Sequence, residues 1–342
     1  MKKIFATLLL LVSVSHTTTG AEMSPFIVNG SDTSSATYPS FASIYTFINY
    51  SDGSFQVGNR CGATILDATY ILTAAHCVAA ADISEVNRLF TIVLPQLDNE
   101  ADFNSVSEFN STTKYWVSDI FVHENYNSGA ILNDIAVLKL ETPLSVPSSA
   151  YAQFVANESQ YRGGSGEVYT AVGHGNTQTG IDNTTVLQKT ELSIVANASC
   201  GYDVGGAPAT QLCMEGANVG GLEKATCQGD SGGPLYWTSG TTYQVGITSY
   251  GPATNYGCGS TTFPGATSVF TEVVDYAAWI TSAKSGGKTA EYSPSESDRN
   301  YFRQNRSLPG DSVSPVAGSG SALSTQWFMV LIVAALVRRF RP

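Results

Sequence analysis

Gln228-Gly229-Asp230-Ser231-Gly232-Gly233-Pro234 carries the strongest chemical signal in this 342-residue chain. A serine hydroxyl is a weak nucleophile unless a base takes its proton and the backbone presents it. Glycines on both sides permit tight turns that expose the side chain and aim backbone N–H groups at a developing oxyanion. A lone Gly-x-Ser-x-Gly is as readily an ordinary surface turn. The longer string, with Cys227 four residues upstream of Ser231, points to a nucleophile if a base and an orienting acid stand elsewhere.

Histidine is the side chain suited to proton shuttling near neutral pH, and the chain has four. His16 lies in the leader. His123, within Phe121-Val122-His123-Glu124-Asn125-Tyr126, reads as a surface residue, and His174, between Gly173 and Gly175, as a structural one. His76 follows the apolar run Tyr70-Ile71-Leu72-Thr73-Ala74-Ala75, which would carry it from a core to a cleft. The base is therefore His76. Asp134 introduces the apolar strand Ile135-Ala136-Val137-Leu138-Lys139-Leu140, where a carboxylate is costly unless paired. It is the expected orienting acid, although alone it would read as a strand-start Asp.

The flanks bound the rest. Met1-Lys2-Lys3, an apolar run over 4–14 and small residues near Ala21 form a secretory signal over 1–21. The body that follows is rich in Gly, Ser and Thr. Short apolar runs such as 44–48, 135–140, 168–172 and 243–247 alternate with turn formers, which predicts an all-β fold. Helical spacing is seen only near 272–283. From Ile27 to Ala283 the sequence has 7 Lys and Arg against 23 Asp and Glu, so nucleic acid is excluded as a partner. Six cysteines in an exported chain favour disulfides, with fifteen pairings open. No spacing suggests zinc, and no metal or cofactor is expected.

Leu72-Thr73-Ala74-Ala75-His76-Cys77, Asn133-Asp134-Ile135-Ala136 and Gly229-Asp230-Ser231-Gly232-Gly233-Pro234 occur in that order, and together they resemble the trypsin/chymotrypsin family of serine proteases. The resemblance runs from Ile27 to about Ala283. It implies two six-stranded antiparallel β-barrels with a C-terminal helix, and a catalytic triad of His76, Asp134 and Ser231. The backbone N–H groups of Gly229 and Ser231 would form the oxyanion hole. Disulfides would join Cys61 to Cys77, Cys200 to Cys213, and Cys227 to Cys258. Ser249-Tyr250-Gly251 would pair with extended substrate backbone. The implied partners are protein or peptide substrates, protein inhibitors, an activating protease and secretion or sorting machinery, with the enzyme itself monomeric.

Ile27-Val28-Asn29-Gly30 resembles the family's mature N-terminus, whose freed α-amino group would be buried against Asp230. The departure is Phe26, where relatives place Arg or Lys, so 22–26 is expected to be a short propeptide removed by a non-tryptic enzyme. In trypsin-like members an Asp six residues before the nucleophile selects Arg or Lys. Here that position is Ala225, and with an open wall at Gly251 the pocket is expected to take Phe, Tyr or Leu. The remaining wall residue aligns as Ser268, with Gly265 as second choice, because Pro264–Thr271 has three residues more than the family's pattern. The acidic run Asp98-Asn99-Glu100-Ala101-Asp102 falls near a calcium loop of some relatives, against the plainer reading of a solvated loop.

The protease domain is thus expected over 27–283, followed by a disordered linker over 284–325 and a hydrophobic segment with a basic end over 326–342. Small residues, a short apolar run and Arg338-Arg339 resemble C-terminal sorting signals of bacterial exoproteins, with a GPI signal or a retained transmembrane anchor as alternatives. The chain would be extracellular, released or at the cell surface. The rival function is a catalytically silent homologue acting as a surface-binding module. It would be expected to lose a triad member, and none is lost.

Overall fold

The computed structural model describes residues 27–310, apart from 101–105, 164–166, 182–183, 201–207, 253–255 and 264. A two-residue strand, β1 (Ser31–Asp32), precedes the first barrel. That barrel comprises β2 (Phe41–Asn49), β3 (Phe55–Ile65), β4 (Tyr70–Thr73), β5 (Thr91–Pro95), β6 (Tyr115–Val122) and β7 (Ala136–Leu140). They close in the order β2-β3-β4-β7-β6-β5, every pair antiparallel.

β2 explains why apolar runs, rather than clean alternation, mark these strands. Ala42 and Ile44 point into the barrel interior with Ile71, Val93, Val117 and Leu138. Tyr45 and Phe47 point outward, where Ile92, Leu94 and Phe109 cover them. Phe109 comes from a short helix, α2 (Val106–Ser111), which follows α1 (Glu85–Leu89), and its ring centre lies 4.4 Å from that of Phe47. Both faces of β2 are therefore dry, each such side chain stabilising the fold by about 1.5–3 kcal/mol.

The second barrel uses β8 (Tyr169–Gly173), β9 (Gln188–Val195) and β10 (Gln211–Glu215). After the small hairpin β11 (Asn218–Val219) and β12 (Leu222–Glu223) come β13 (Pro234–Ser239), β14 (Thr241–Tyr250) and β15 (Ser268–Glu272). The order is β9-β10-β15-β14-β13-β8, closed by β8 on β9, with β1 added to the outside of β9. Tyr161, Tyr169, Leu212, Leu235 and Phe270 fill its interior. The expectation of two six-stranded antiparallel barrels is met. Gly62 of β3 and Gly233 meet where the barrels touch: a Cβ on Gly62 would stand 2.7 Å from the Gly233 Cα, so no larger residue fits.

Helix α3 (Ala277–Lys284) ends the second barrel's chain but packs Trp279, Ile280 and Ala283 on the first barrel's core. The expected disorder from 284 onward does not hold over 285–310, which is folded. Tyr292 bridges Ile120, and α4 (Glu296–Asn305) follows, its N-terminus capped by the Ser295 hydroxyl accepting the Asp298 N–H at 3.1 Å. Arg299 is fully buried beneath α4. Its guanidinium donates to the carbonyls of Leu89 and Val117, pairs with Glu141 and Glu296, and stacks 4.5 Å from the Trp116 ring centre. Five donors in a planar fork are what allow one side chain to satisfy so many partners. The rest of the proposed linker and the segment 326–342 lie outside the described residues, as do 1–26. Among the described residues no helix is long and apolar enough to cross a membrane.

Candidate active site

β4 ends at Thr73 and the chain turns at once into a single 3-10 turn, Ala75–Cys77, which lifts His76 out of the barrel wall. The Cys61–Cys77 disulfide, with Cα atoms 6.2 Å apart, ties this turn to β3. Asp134 stands two residues before the start of β7, the strand paired with β4, and is fully buried. The His76 backbone N–H donates to one Asp134 oxygen at 2.9 Å. The His76 Nδ1–H donates to the other at 2.7 Å, since a carboxylate can only accept. The Ser249 hydroxyl donates to that same oxygen at 2.6 Å, and Thr271 holds the Asp134 backbone carbonyl at 2.9 Å. The first barrel thus supplies the acid and the imidazole, and the second clamps the acid from behind.

Ser231 arrives from the second barrel on the turn before β13. Gly229 there has φ 103°, and a Cβ on it would lie 2.8 Å from the Gly175 Cα, so glycine is required on both counts. The Ser231 carbonyl accepts the Gly62 N–H at 2.8 Å, which registers the turn against the first barrel. Inside the turn, the N–H of Asp230 donates to Cys227, that of Gly232 to Thr248 and that of Gly233 to Asp230.

Beside Ser231 opens a pocket of about 200 Å³, lined by Thr226, Gln228, Ser249, Tyr250, Gly251 and the Cys227–Cys258 disulfide among others. Ala225 is not on its surface. It is fully buried beneath, against Val28, and Thr226 presents to the pocket in its place. Ser268 is also fully buried, its hydroxyl accepting the Thr226 N–H at 2.9 Å, so it backs Thr226 rather than forming open wall. Lys224 is turned away, its ammonium 3.9 Å from Glu191. An apolar hollow of about 360 Å³ elsewhere, lined by Leu66, Phe154, Val273 and Ile280 with Lys284 at its edge, has no histidine or carboxylate among its lining residues.

Asp230 is fully buried, its carboxylate accepting the N–H groups of Gly175 and Cys227, both at 2.8 Å. Burial pushes its pKa up from 3.8 to about 7. Ile27 and Val28 are buried too, Val28 bridging Ala225, and the Asn29 amide donates to Val219 and Leu222. Ile27 has φ 35°, a region that a β-branched residue rarely adopts.

The other histidines separate cleanly. His174 is buried, its Nε2–H donating to the Leu97 carbonyl at 3.0 Å, and burial lowers its pKa to about 4. His123 is not a free surface residue: it packs edge-on to Tyr276 and against Trp279, with ring centres 5.3 and 5.2 Å away. The donor atoms of Cys61, His76 and Cys77 lie together, but the two sulfurs are bonded to each other and offer no thiolate to a metal. In the acidic run, Asp98 accepts the Ser35 N–H at 2.6 Å and Glu100 accepts the Tyr45 hydroxyl, so both carboxylates serve the fold. Cys200–Cys213 and Cys227–Cys258, with Cα separations of 5.7 and 5.5 Å, complete the pairing that the resemblance implied.

Residues 27–280 match the family model described as Trypsin. The chain belongs to the trypsin family. It is 36% identical over 258 residues to Trypsin-1 of Astacus astacus, covering 74% of this chain and 98% of that one. Brachyurin of Leptuca pugilator is 34% identical over 64% of this chain and 85% of its own. CLIP domain-containing serine protease B4 of Anopheles gambiae is 30% identical over 76% and 71%. Like these relatives in the trypsin family, this protein is a serine endopeptidase. The match ends at residue 280, and the segment 326–342, where a sorting signal was expected, lies beyond it and outside the described residues.

Sequence reasoning missed Thr226, Thr271 and the Ser249 hydroxyl's bond to Asp134. Hydroxyl side chains are common in this chain, and nothing in their spacing marks these from the others.

Proposed function

We propose that this protein is exported as a precursor, cut between Phe26 and Ile27, and then cleaves polypeptides after apolar residues through His76, Asp134 and Ser231. The observation that carries the reading is the 2.7 Å bond from His76 Nδ1 to the buried Asp134, which is bonded in turn to Ser249, a lining residue of the pocket that holds Ser231. With Nδ1 committed to Asp134, Nε2 is the nitrogen assigned as the base. It takes the Ser231 proton as Oγ adds to the scissile carbonyl, and Asp134 stabilises the imidazolium that results. The turn's own bonds use the N–H groups of Asp230, Gly232 and Gly233. Those of Gly229 and Ser231 are assigned to the oxyanion. Collapse of the tetrahedral adduct passes the His76 proton to the leaving amine. Water, deprotonated by His76, then releases the acyl group.

Two features support the substrate mode. β14 pairs with β13 only as far as Ile247, opposite Pro234, so residues 249–251 run on with an edge for an added strand. The pocket beside Ser231 offers Thr226 and no carboxylate among its lining residues, so a buried Arg or Lys would lack a counter-charge. Phe, Tyr and Leu are the preferred residues. Maturation is supported by Asp230, buried without a cation among the described residues, and by the strained φ of Ile27. The segment 326–342 would sort or anchor the exported chain, and the mass of the secreted C-terminus tests that.

A mixed peptide library digested by the form beginning at Ile27, with Ser231→Ala in parallel, tests the whole reading. Cleavage after Phe, Tyr or Leu by wild type, and loss by at least about 10⁴-fold in the variant, is the expected result. Cleavage confined to Arg and Lys would refute the pocket assignment, and activity surviving Ser231→Ala would refute the nucleophile.

A further inference from the structure

Gln211, the first residue of β10, is only 2% exposed and carries a carboxamide whose two ends reach different barrels. Its Nε2 donates to the Ile131 carbonyl at 3.0 Å, across 80 residues of chain. Its Oε1 accepts the Tyr250 hydroxyl at 3.0 Å. The orientation of the amide follows from its partners, because the Ile131 carbonyl can only accept and so must face the NH₂.

Both partners matter to the cleft. Tyr250 lines the pocket beside Ser231 and follows the β-bulge at which β14 shifts register on β15, pairing there with Val269. Ile131 belongs to the loop closed by the Asn127–Leu132 bridge, three residues before Asp134. That loop is held in an uncommon shape: Ile131 has φ 50° and Asn133 has φ 53°. For a β-branched residue such a value persists only where surrounding contacts enforce it. Tyr276 secures Asn133 through a 3.0 Å bond to its side chain, and Gln211 secures Ile131.

We infer that Gln211 is a positioning residue that fixes the Ile131 loop of the first barrel relative to Tyr250 of the second, and so sets how much residues upstream of the scissile bond contribute to turnover. This rests on the proteolytic reading above. A chain paired along 249–251 with its carbonyl at Ser231 would run beside Tyr250, and the Ile131 loop is tied to that same Tyr250 through the Gln211 carboxamide. A carboxamide suits this role because it alone among side chains of its size donates to a carbonyl while accepting from a hydroxyl. Neither Met nor Glu at this position can do both.

The test compares two substrates on the mature enzyme: a blocked tetrapeptide amide and a blocked single-residue amide, each ending in Phe. Gln211→Met keeps the side-chain volume and removes both bonds, and Tyr250→Phe removes one. Gln211→Met should lower kcat/KM for the tetrapeptide about tenfold, and for the single residue by no more than about twofold. Tyr250→Phe should move the ratio the same way by less, and the double variant should match Gln211→Met alone, because both changes break one shared bond. An unchanged ratio in both variants overturns the inference. So does an equal fall on both substrates, which would make Gln211 a support for the fold. If Gln211→Met does not fold, Tyr250→Phe decides by the same ratio. Silence of the wild type on both substrates would be a different failure, that of the proteolytic reading itself.

Discussion

Glu272 and Asp230 are both fully buried in the second barrel, and the fold treats them in opposite ways. Glu272 ends β15 with Arg162 against it: Arg162 Nε donates at 2.8 Å, a second guanidinium nitrogen pairs with the other oxygen, and the Tyr161 hydroxyl donates as well. The Glu272 carboxylate raises the Arg162 pKa further, chiefly through its hydrogen bond. This site is complete when the chain folds. Asp230 receives two backbone N–H groups and, among the described residues, no cation. A buried carboxylate in that state is held toward neutrality, here to about 7. The difference teaches that one acid is architecture, whereas the other, under the maturation proposed above, would gain its partner from cleavage before Ile27.

The sharpest way to break this contrast is Asp230→Asn in the form beginning at Ile27. Removing one member of a buried pair costs about 3–5 kcal/mol, so kcat/KM should fall on the order of a hundredfold or more. Full activity in that variant would mean that the α-amino group does not pair with Asp230. Arg162→Met should act on stability instead. Leaving Glu272 buried and unpaired should lower unfolding free energy by about 3–5 kcal/mol in denaturant titrations, while kcat of the folded fraction stays near wild type.

pH sharpens the same comparison. In the uncleaved precursor the folded-state pKa of Asp230 lies above its ordinary 3.8, at about 7. Its contribution is fully present below about pH 4 and is lost as pH rises through about 7, an upper bound of about 4 kcal/mol. In the mature form the new ammonium favours the carboxylate, and this loss should disappear. Melting curves of the two forms at pH 5 and pH 8 should therefore diverge at the higher pH, the precursor being the weaker. Parallel curves would remove the distinction between the two acids.

Much of the site was readable from the chain because chemistry restricts what can stand there. Ser231 needs flanking glycines, and those glycines are visible as letters. His76 and Asp134 each adjoin an apolar strand, and two strands that pair bring them together. Ala225 was expected at the pocket floor; it lies fully buried against Val28 while its neighbour Thr226 lines the pocket, and a neutral letter says nothing about which of the two meets a substrate side chain. Residues 285–310 were misread as linker for a related cause. Their composition offers little apolar surface, and their hold on the first barrel depends on Arg299 and Phe302.

The sequence by itself determined an all-β body, through short apolar runs between turn formers, and the family resemblance carried by the motifs around His76, Asp134 and Ser231 brought with it the two barrels and the three disulfides. The tertiary structure decided which groups complete them: Ser249 and Thr271 on Asp134, Thr226 at the pocket, Gln211 between Ile131 and Tyr250, and Arg299 under α4. These are contacts between polar groups far apart in the chain. A hydrogen bond depends on distance and direction in space, and no pattern along the sequence encodes either.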